Sequence, residues 1–330
     1  MALAEMTSLE VCAGAGGQAL GLERAGFSSV ASVEIEGAAC DTLRLNRPAW
    51  AVLNQDIRNL SGLDYRGIDL FAAGVPCPPF SIAGKQLGAD DERDLFPSAL
   101  RIIQESKPTA VLLENVPGLA SSRFSDYRRA LAGKLTRWGY SVEWQILNAC
   151  NYGVPQLRPR FVLVAIREKS AFNFEWPKPI ASPPTVGEAL GDLMGSRGWR
   201  GAGRWAVAAS SIAPTLVGGS RKHGGADLGP TRARAAWRQL GVEGRSLSEA
   251  PPDSSFPIDG LPRLTLRMAA RVQGFPDSWE FSGLKTAAYR QIGNAFPPPV
   301  AFAVGSAIRQ ALLGSGRQSV RQQPVLALRA

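Results

Sequence analysis

The chain has 330 residues, of which 45% are hydrophobic and 20% charged, and a formal net charge of +9. This is the composition of a soluble globular protein with one large domain or two of ordinary size. No apolar run approaches the ~18 residues of a membrane span, and the first residues lack the basic-then-apolar order of a secretory signal, so a cytoplasmic protein is expected.

In chain order, Ser8-Leu-Glu-Val-Cys12 reads as a first strand. The glycine turn Ala13-Gly14-Ala15-Gly16-Gly17 leads from it into a helix that runs to about Ala25. Residues 29–33 form a second strand ending in Glu34, and a helix from Gly37 to about Asn46 follows. A further short run precedes Asp56-Ile57, and residues 69–73 are a later strand. Directly beyond it stands Pro76-Cys77-Pro78-Pro79-Phe80, where prolines hold the backbone extended around a thiol. Residues 95–105 have helical spacing, residues 109–113 are a strand ending in Glu114-Asn115, and residues 161–166 are a last clear strand. Short strands alternating with amphipathic stretches predict an α/β fold, a doubly wound and mostly parallel sheet covered by helices.

Beyond Arg167 proline and glycine become frequent, and periodicity weakens until about Leu261. This predicts a second, smaller, loop-rich domain. Residues 299–313 regain helical spacing and are expected to pack back onto the sheet, while the basic tail after Gly314 is expected to be disordered. The boundaries are drawn at 1–183 and 286–330 for the larger domain and at 184–285 for the smaller. Between Arg197 and Arg238 eight basic residues face one acid, Asp227. Clustered arginine among glycine-rich loops suits a surface that follows phosphates and reaches base edges.

The four cysteines, Cys12, Cys40, Cys77 and Cys150, show no paired spacing, and the chain has a single histidine, His223. They make a poor zinc set and a poor disulfide framework, so no metal is expected, and His223 is assigned no role. Four features do suggest chemistry. The glycine turn lets backbone approach a ligand closely, and Glu34 lies where an acid grips ribose hydroxyls in nucleotide-binding α/β folds. Asp56 could meet the base of the same ligand. Any one of these is more often an ordinary cap or surface acid, but three at successive strand ends favour an adenosine-containing cofactor. Cys77 borders the crevice at the carboxyl ends of the strands, which makes it a candidate nucleophile.

Taken in order, these motifs resemble those of the DNA cytosine-C5 methyltransferases over nearly the whole chain. They are Ala13-Gly14-Ala15-Gly16-Gly17 with Gly21-Leu22, Glu34, Asp56, Pro76-Cys77-Pro78-Pro79-Phe80-Ser81, Asp94-Leu95-Phe96 and Glu114-Asn115-Val116. Gln156-Leu-Arg158-Pro-Arg160, Arg263-Leu-Thr-Leu-Arg267 with Gln273-Gly-Phe-Pro276, and Gln291-Ile-Gly-Asn294-Ala295 complete the set. The resemblance implies a Rossmann-like, S-adenosylmethionine-dependent catalytic domain and a target-recognition domain whose variable part spans about 184–260. It implies that Cys77 attacks C6 of a flipped-out cytosine, because C5 is a poor nucleophile until a thiolate adds. Glu114 would contact N3 and the exocyclic amine, Arg160 the base carbonyl and Arg158 a nearby phosphate.

The cofactor residues implied are Cys12, Ala13, Gly14, Gly16, Gly17, Glu34, Ile35, Asp56, Ile57, Pro76, Leu95, Asn294 and Ala295. Those implied for double-stranded DNA are Ser81, Gln156, Arg221, Lys222, Arg232, Arg234 and Arg267. A monomer resembling the bacterial modification enzymes is expected, with a cognate restriction endonuclease acting on the same site without a stable complex. Two positions depart from the family pattern: Cys12 stands where a phenylalanine usually stacks on adenine, and Pro78 where glutamine often follows the nucleophile. A zinc-dependent deaminase is rejected for want of Cys-x-x-Cys and His-x-Glu. A tRNA cytosine-C5 methyltransferase on the same scaffold is the remaining alternative, and an inactive binder is disfavoured by the intact Cys77, Glu114, Arg158 and Arg160.

Overall fold

The computed structural model describes residues 5–76, 94–167, 173–218 and 225–314. These form one sheet from β1 (Met6–Val11), β2 (Phe27–Glu34), β3 (Val52–Asn54), β4 (Leu70–Gly74), β5 (Ala110–Asn115), β6 (Tyr140–Asn148) and β7 (Pro159–Arg167). The order across the sheet is β3-β2-β1-β4-β5-β7-β6. The pairs β1–β2, β1–β4, β2–β3 and β4–β5 are parallel, whereas β7 runs antiparallel to β5. The chain therefore moves outward from β1 to β3, then returns to place β4 and β5 on the other side of β1. In such sheets the ligand crevice opens at this reversal, outside the carboxyl ends of the strands.

Every residue of β5 is buried, as are Leu70 to Ala73 of β4, so these strands read as continuous apolar runs rather than alternating ones. On one face of the sheet Leu9, Val11, Val33, Phe71, Ala73 and Val111 share a core with Phe96, Ala99, Ile102 and Ile103. The last four lie on α3 (Phe96–Ser106), whose apolar stripe has helical spacing. Helix α3 stops because Lys107 turns into the left-handed region (φ 51°) ahead of Pro108. Helices α1 (Gly17–Arg24), α2 (Gly37–Asn46) and α4 (Ser125–Arg137) complete this part.

The described residues divide into two compact units. The first holds the chain up to Leu147, residues 159–178 and the chain from Val300; the second holds residues 148–158 and 179–299. The second unit contains α5 (Val186–Gly195), α6 (Ala202–Ala208), α7 (Thr231–Gln239), α8 (Leu266–Val272) and α9 (Lys285–Asn294). Thr185 and Glu188 cap α5 reciprocally: the Thr185 hydroxyl accepts the Glu188 amide at 3.2 Å, and the Glu188 carboxylate accepts the Thr185 amide at 2.8 Å. Backbones of α5 and α6 meet closely enough that a Cβ on Gly187 would lie 1.8 Å from the Ala206 carbonyl.

The last helix, α10 (Pro298–Leu312), buries Val300, Ala301, Val304, Ile308 and Ala311. It packs on α1 through Gly305, where a Cβ would stand 2.8 Å from Leu22 and 3.1 Å from Ala25. No helix among the described residues is long and apolar enough to cross a membrane.

Two elements of the first unit have no counterpart in the sequence reading, nor do helices α5 to α9 of the second, which it took as loop-rich. Helix α4 buries only Leu131 and Leu135, which leaves too thin an apolar stripe to read. Strand β6 lies at the sheet edge and exposes four successive residues, Glu143 to Ile146; its alternation of Tyr140, Val142, Trp144 and Ile146 with Ser141, Glu143 and Gln145 is a strand signal that the sequence reading passed over.

Candidate active site

In the first unit the strand ends place the expected cofactor residues in a row. The loop after β1 carries three residues in the left-handed region, Cys12 (φ 53°), Gly14 (φ 54°) and Gly16 (φ 84°). Glycine adopts this freely, whereas Cys12 does so against its side chain. A Cβ built on Gly14 would meet nothing within 4 Å, so the loop faces open space. Glu34, 7% exposed, ties the loop down: its carboxylate accepts the Gly14 amide at 2.7 Å and the Glu36 amide at 2.8 Å. Burial pushes the Glu34 carboxyl above the ordinary range, and those amides draw it part way back. Ala13, Gly17 and Ile57 are buried beside it, and Ile35 stands 57% exposed.

Asp56 accepts four bonds from Arg58, one from its amide and three from its guanidinium, the shortest at 2.7 Å. That pairing holds the Asp56 carboxyl below its usual value. Pro76 and Leu95 are half-buried on either side of a segment that carries Cys77 and Ser81, both outside the described residues.

Under the loop lies an acid to which the sequence reading gave no role. Glu10 on β1 is 2% exposed, and neither carboxylate oxygen has a well-formed hydrogen bond. Burial pushes its carboxyl well up, the amide of Ala19 in the first turn of α1 draws it part way back, and the charge of Glu34 adds to the rise. Gln18, also in that first turn, is 4% exposed with both ends of its amide unpaired. The buried acids Glu10 and Glu34 with the open glycine loop suit a ligand that is adenosine-like at one end and cationic at the other.

At the ends of β5 and β7 the antiparallel pairing sets Glu114 opposite Val162 and Asn115 opposite Phe161. Arg160, at the start of β7, thereby reaches Glu114: its Nε lies 2.9 Å from Oε1, with the side chains only 11% and 8% exposed. Parallel pairing puts Gly74 beside Glu114 on the other side. A Cβ on Gly74 would stand in ordinary contact with both, 3.6 Å from Glu114 Oε2 and 3.5 Å from the Cys12 carbonyl, so the end of β4 lies between carboxylate and cofactor loop. Asn115 is fully buried and donates from Nδ2 to the Val75 carbonyl at 3.1 Å, fixing the chain just before Pro76. The Glu-Asn-Val motif signals Asn115, but its role is visible only in the fold.

The three described cysteines all hold their protons. Burial pushes the Cys12 thiol up and the negative Glu34 adds to this; burial takes Cys40 up to about 11 and raises Cys150 as well.

The remaining expected residues belong to the second unit. Arg158, expected at a phosphate, is fully buried; its guanidinium donates to the carbonyls of Leu216 (2.8 Å), Gly293 (2.7 Å) and Ala295 (3.0 Å). Gln156, expected at DNA, is also fully buried, donating to Val272 O and Gln273 Oε1 and accepting the Leu216 amide. Both act inside the unit as supports, because a buried arginine or amide must satisfy its donors locally. The segments they join touch tightly: a Cβ on Gly218 would lie 2.5 Å from the Arg290 carbonyl and 2.7 Å from Asn294 Oδ1. Asn294 itself is exposed at the end of α9 and Ala295 follows it half-buried.

Arg232 and Arg267 are exposed, while Arg221 and Lys222 lie outside the described residues. On α7 and the turn beyond it, Arg234, Arg238 and Arg245 line a cavity of about 250 Å³ together with Thr231 and Glu243.

Comparison with known proteins gives a consistent result. The family model described as C-5 cytosine-specific DNA methylase matches residues 6–310. The chain is 55% identical to the type II methyltransferase M.NaeI of Lentzea aerocolonigenes over 315 residues, covering 94% of this chain and 76% of that protein. It is 52% identical to the type II methyltransferase M.NgoMIV of Neisseria gonorrhoeae over 316 residues, covering 93% and 98%. Among solved structures, the Entamoeba histolytica methyltransferase EhMeth aligns with a TM-score of 0.67 at 14% identity, over 94% of this chain and 99% of that one. The S. pombe Dnmt2 methyltransferase aligns at 0.63 and 19% identity, over 93% and 99%. At such identities these last two bear on the fold alone.

Proposed function

The chain belongs to the C-5 cytosine-specific DNA methylase family and is a DNA (cytosine-5-)-methyltransferase of the type II restriction-modification class, and from that premise we propose how its residues carry the reaction. The reading rests above all on the buried Glu114–Arg160 pair at the ends of β5 and β7, beside the strand end that leads into Pro76 and Cys77. Cys77 adds to C6 of a flipped-out cytosine, forming the S–C6 bond and making C5 nucleophilic. Glu114, which must carry a proton for this step, donates it to N3 as negative charge develops there and accepts from the exocyclic amine; once C5 has taken the methyl group and a base has removed its proton, the thiolate leaves C6. Arg160 orients that carboxylate and holds the base carbonyl, a task for permanent charge with fixed donors. The raised thiols of Cys12, Cys40 and Cys150 leave Cys77 the natural thiolate.

S-adenosylmethionine fits the row of strand ends. The loop of Cys12, Ala13, Gly14, Gly16 and Gly17 offers backbone to it, and Glu34 offers a carboxylate to its ribose. Asp56 and Ile57 meet the adenine, with Ile35, Pro76 and Leu95 around it. The orphaned buried carboxyl of Glu10, with Glu34, suits its positive charge. Bound there, it supplies the methyl group.

Double-stranded DNA is the substrate, and residues 184–285 are its recognition domain, with Ser81, Arg221, Lys222, Arg232, Arg234 and Arg267 among its contacts. Arg158 and Gln156 hold the recognition unit in shape instead of touching phosphate or base. The protein acts as a monomer and protects DNA from a cognate restriction endonuclease without binding that enzyme.

Cys77→Ser is expected to lower methyl transfer by at least about a thousandfold, as loss of a covalent nucleophile does, while binding of DNA and cofactor stays near wild type. Transfer at a rate close to wild type would exclude the covalent route. Mapping 5-methylcytosine in plasmid DNA from an expressing host identifies the target sequence. Unmodified plasmid beside methylated host tRNA would overturn the DNA reading.

A further inference from the structure

Three guanidinium groups share one cavity of the second unit. Arg234 and Arg238 stand one turn apart on α7, and Arg245 joins them from the segment that follows the helix; together they line about 250 Å³ of space. That segment is pinned beside α7. The Val242 amide donates to the Trp237 carbonyl at 3.0 Å, and the Gly244 carbonyl accepts the Leu228 amide at 2.9 Å. Trp237 itself is fully buried and fixes the helix against the interior. A Cβ on Gly244 would stand 3.1 Å from Arg234 Cγ and 3.4 Å from its Cα, so bare backbone lets the Arg234 stem lie flat against the turn.

Opposing charge is scarce there. Among the described residues none of the three arginines forms an ion pair. Glu243 is the one acid in the lining, and its Oε1 already accepts the Arg245 amide at 2.9 Å. The Thr231 Oγ1 accepts from Arg234 Nη2 at 3.4 Å, which leaves the hydroxyl proton for another acceptor. Donors of permanent charge thus meet without an acceptor to match them. Such a site suits an anion with several oxygens, and the planar fork of arginine matches a phosphate in pairs of bonds. The eight basic residues against one acid between Arg197 and Arg238 favour a polyanion over a small ion.

We propose that this cavity seats the sugar-phosphate backbone of one DNA strand, at one phosphate or two adjacent ones, and anchors the second unit on the duplex without reading bases. The inference rests on the assignment of residues 184–285 to DNA recognition made above, and it adds Thr231, Arg238 and Arg245 to the contacts. Its physical basis is that phosphate contacts fix register and orientation, while base edges carry the sequence information.

The test uses the full-length protein and a duplex carrying the target found by plasmid mapping. Arg238 and Arg245 are exposed, so Arg238→Gln with Arg245→Gln removes charge without opening a core, and a thermal melt checks this. By fluorescence anisotropy, affinity should fall roughly ten- to hundredfold at ~0.1 M salt, and the slope of log affinity against log salt should flatten by about one to two. The loss should agree within about twofold between the target and an unrelated duplex. Single backbone phosphates are then replaced in turn by uncharged methylphosphonates. Wild type should lose affinity at one phosphate, or at two neighbours, where the double variant loses nothing further. Arg238→Lys should keep the salt slope but not the full affinity, because a point charge lacks the fork.

Unchanged affinity and slope in the double variant, losses that add at every methylphosphonate, or a loss confined to the target duplex would each overturn the proposal. So would a flat methylphosphonate profile in a wild type that inorganic phosphate stabilises and the double variant does not share, since the cavity would then hold a free anion. Should the double variant melt far below wild type, the two single variants are read on the same scan. Exchange of residues 184–260 for those of a relative runs alongside: an unchanged target removes the recognition assignment itself. A changed target beside normal binding by the double variant removes the backbone seat alone.

Discussion

At the scale of single residues, Glu10 separates what binding needs from what folding tolerates. The folded chain keeps its proton at pH values where an unfolded glutamate has released it. Folding therefore takes up a proton across that interval, and stability falls as pH rises through it. Below the ordinary glutamate value of about 4.3 the penalty is absent, and above the raised folded value it is complete. Glu34, also raised, contributes with the same sign. Cofactor-free Glu10→Gln should unfold at a higher temperature than wild type near pH ~8, and the two should coincide near pH ~4, where both side chains are neutral. Thermal melts at the two pH values read this directly, and a variant less stable at the higher pH would refute it. At the other end of the site, Arg160→Lys keeps the charge beside Glu114 but loses the fixed donor fork. A drop in kcat of roughly ten- to a hundredfold is expected with the fold intact, measured on the same plasmid substrate.

At the scale of elements, close backbone approaches fix the geometry more sharply than side-chain volume does. On α5, Gly187 admits no Cβ, because the Ala206 carbonyl of α6 would stand 1.8 Å away and backbone cannot yield cheaply. Gly187→Ala should lower stability by about 1–3 kcal/mol, read as the denaturant midpoint of the purified protein. Gly133, on α4 in the first unit, has nothing within 4 Å of an added Cβ and serves as the control.

The elements also show what the sequence could carry. The glycine loop, Glu34, Asp56 and Glu114 were legible because strand ends in a parallel sheet are marked by abrupt changes from apolar to polar residues. Helix α3 was legible within one residue at each end for the same reason, a dense apolar stripe. Helix α4 was not, since it buries only two leucines. The internal duty of Arg158 was equally hidden: a guanidinium bound to three carbonyls looks, in sequence, like one that meets a phosphate. Only the fold distinguishes them, since those carbonyls come from residues 58 and more positions away.

At the scale of the whole molecule, the chemistry and the basic character fall on different parts of the chain. The Glu114–Arg160 pair and the glycine loop lie in the first unit, whereas the three-arginine cavity on α7 lies in the second. Exchanging residues 184–260 for those of a relative with another target should therefore change which cytosine is methylated while leaving kcat within about threefold. Sequencing of modified plasmid reads the first and a turnover assay the second; an unchanged target would place recognition elsewhere. Arg234→Ala with Arg238→Ala should weaken DNA binding uniformly across sequences and flatten its salt dependence by about two phosphate contacts' worth.

The packing of α10 on α1 has a consequence for synthesis on the ribosome. The surface of α1 around Leu22 and Ala25 is made about 280 residues before its cover at Gly305. That apolar surface therefore waits on the ribosome until α10 has been made, and a chain cut short before α10 leaves it open to water.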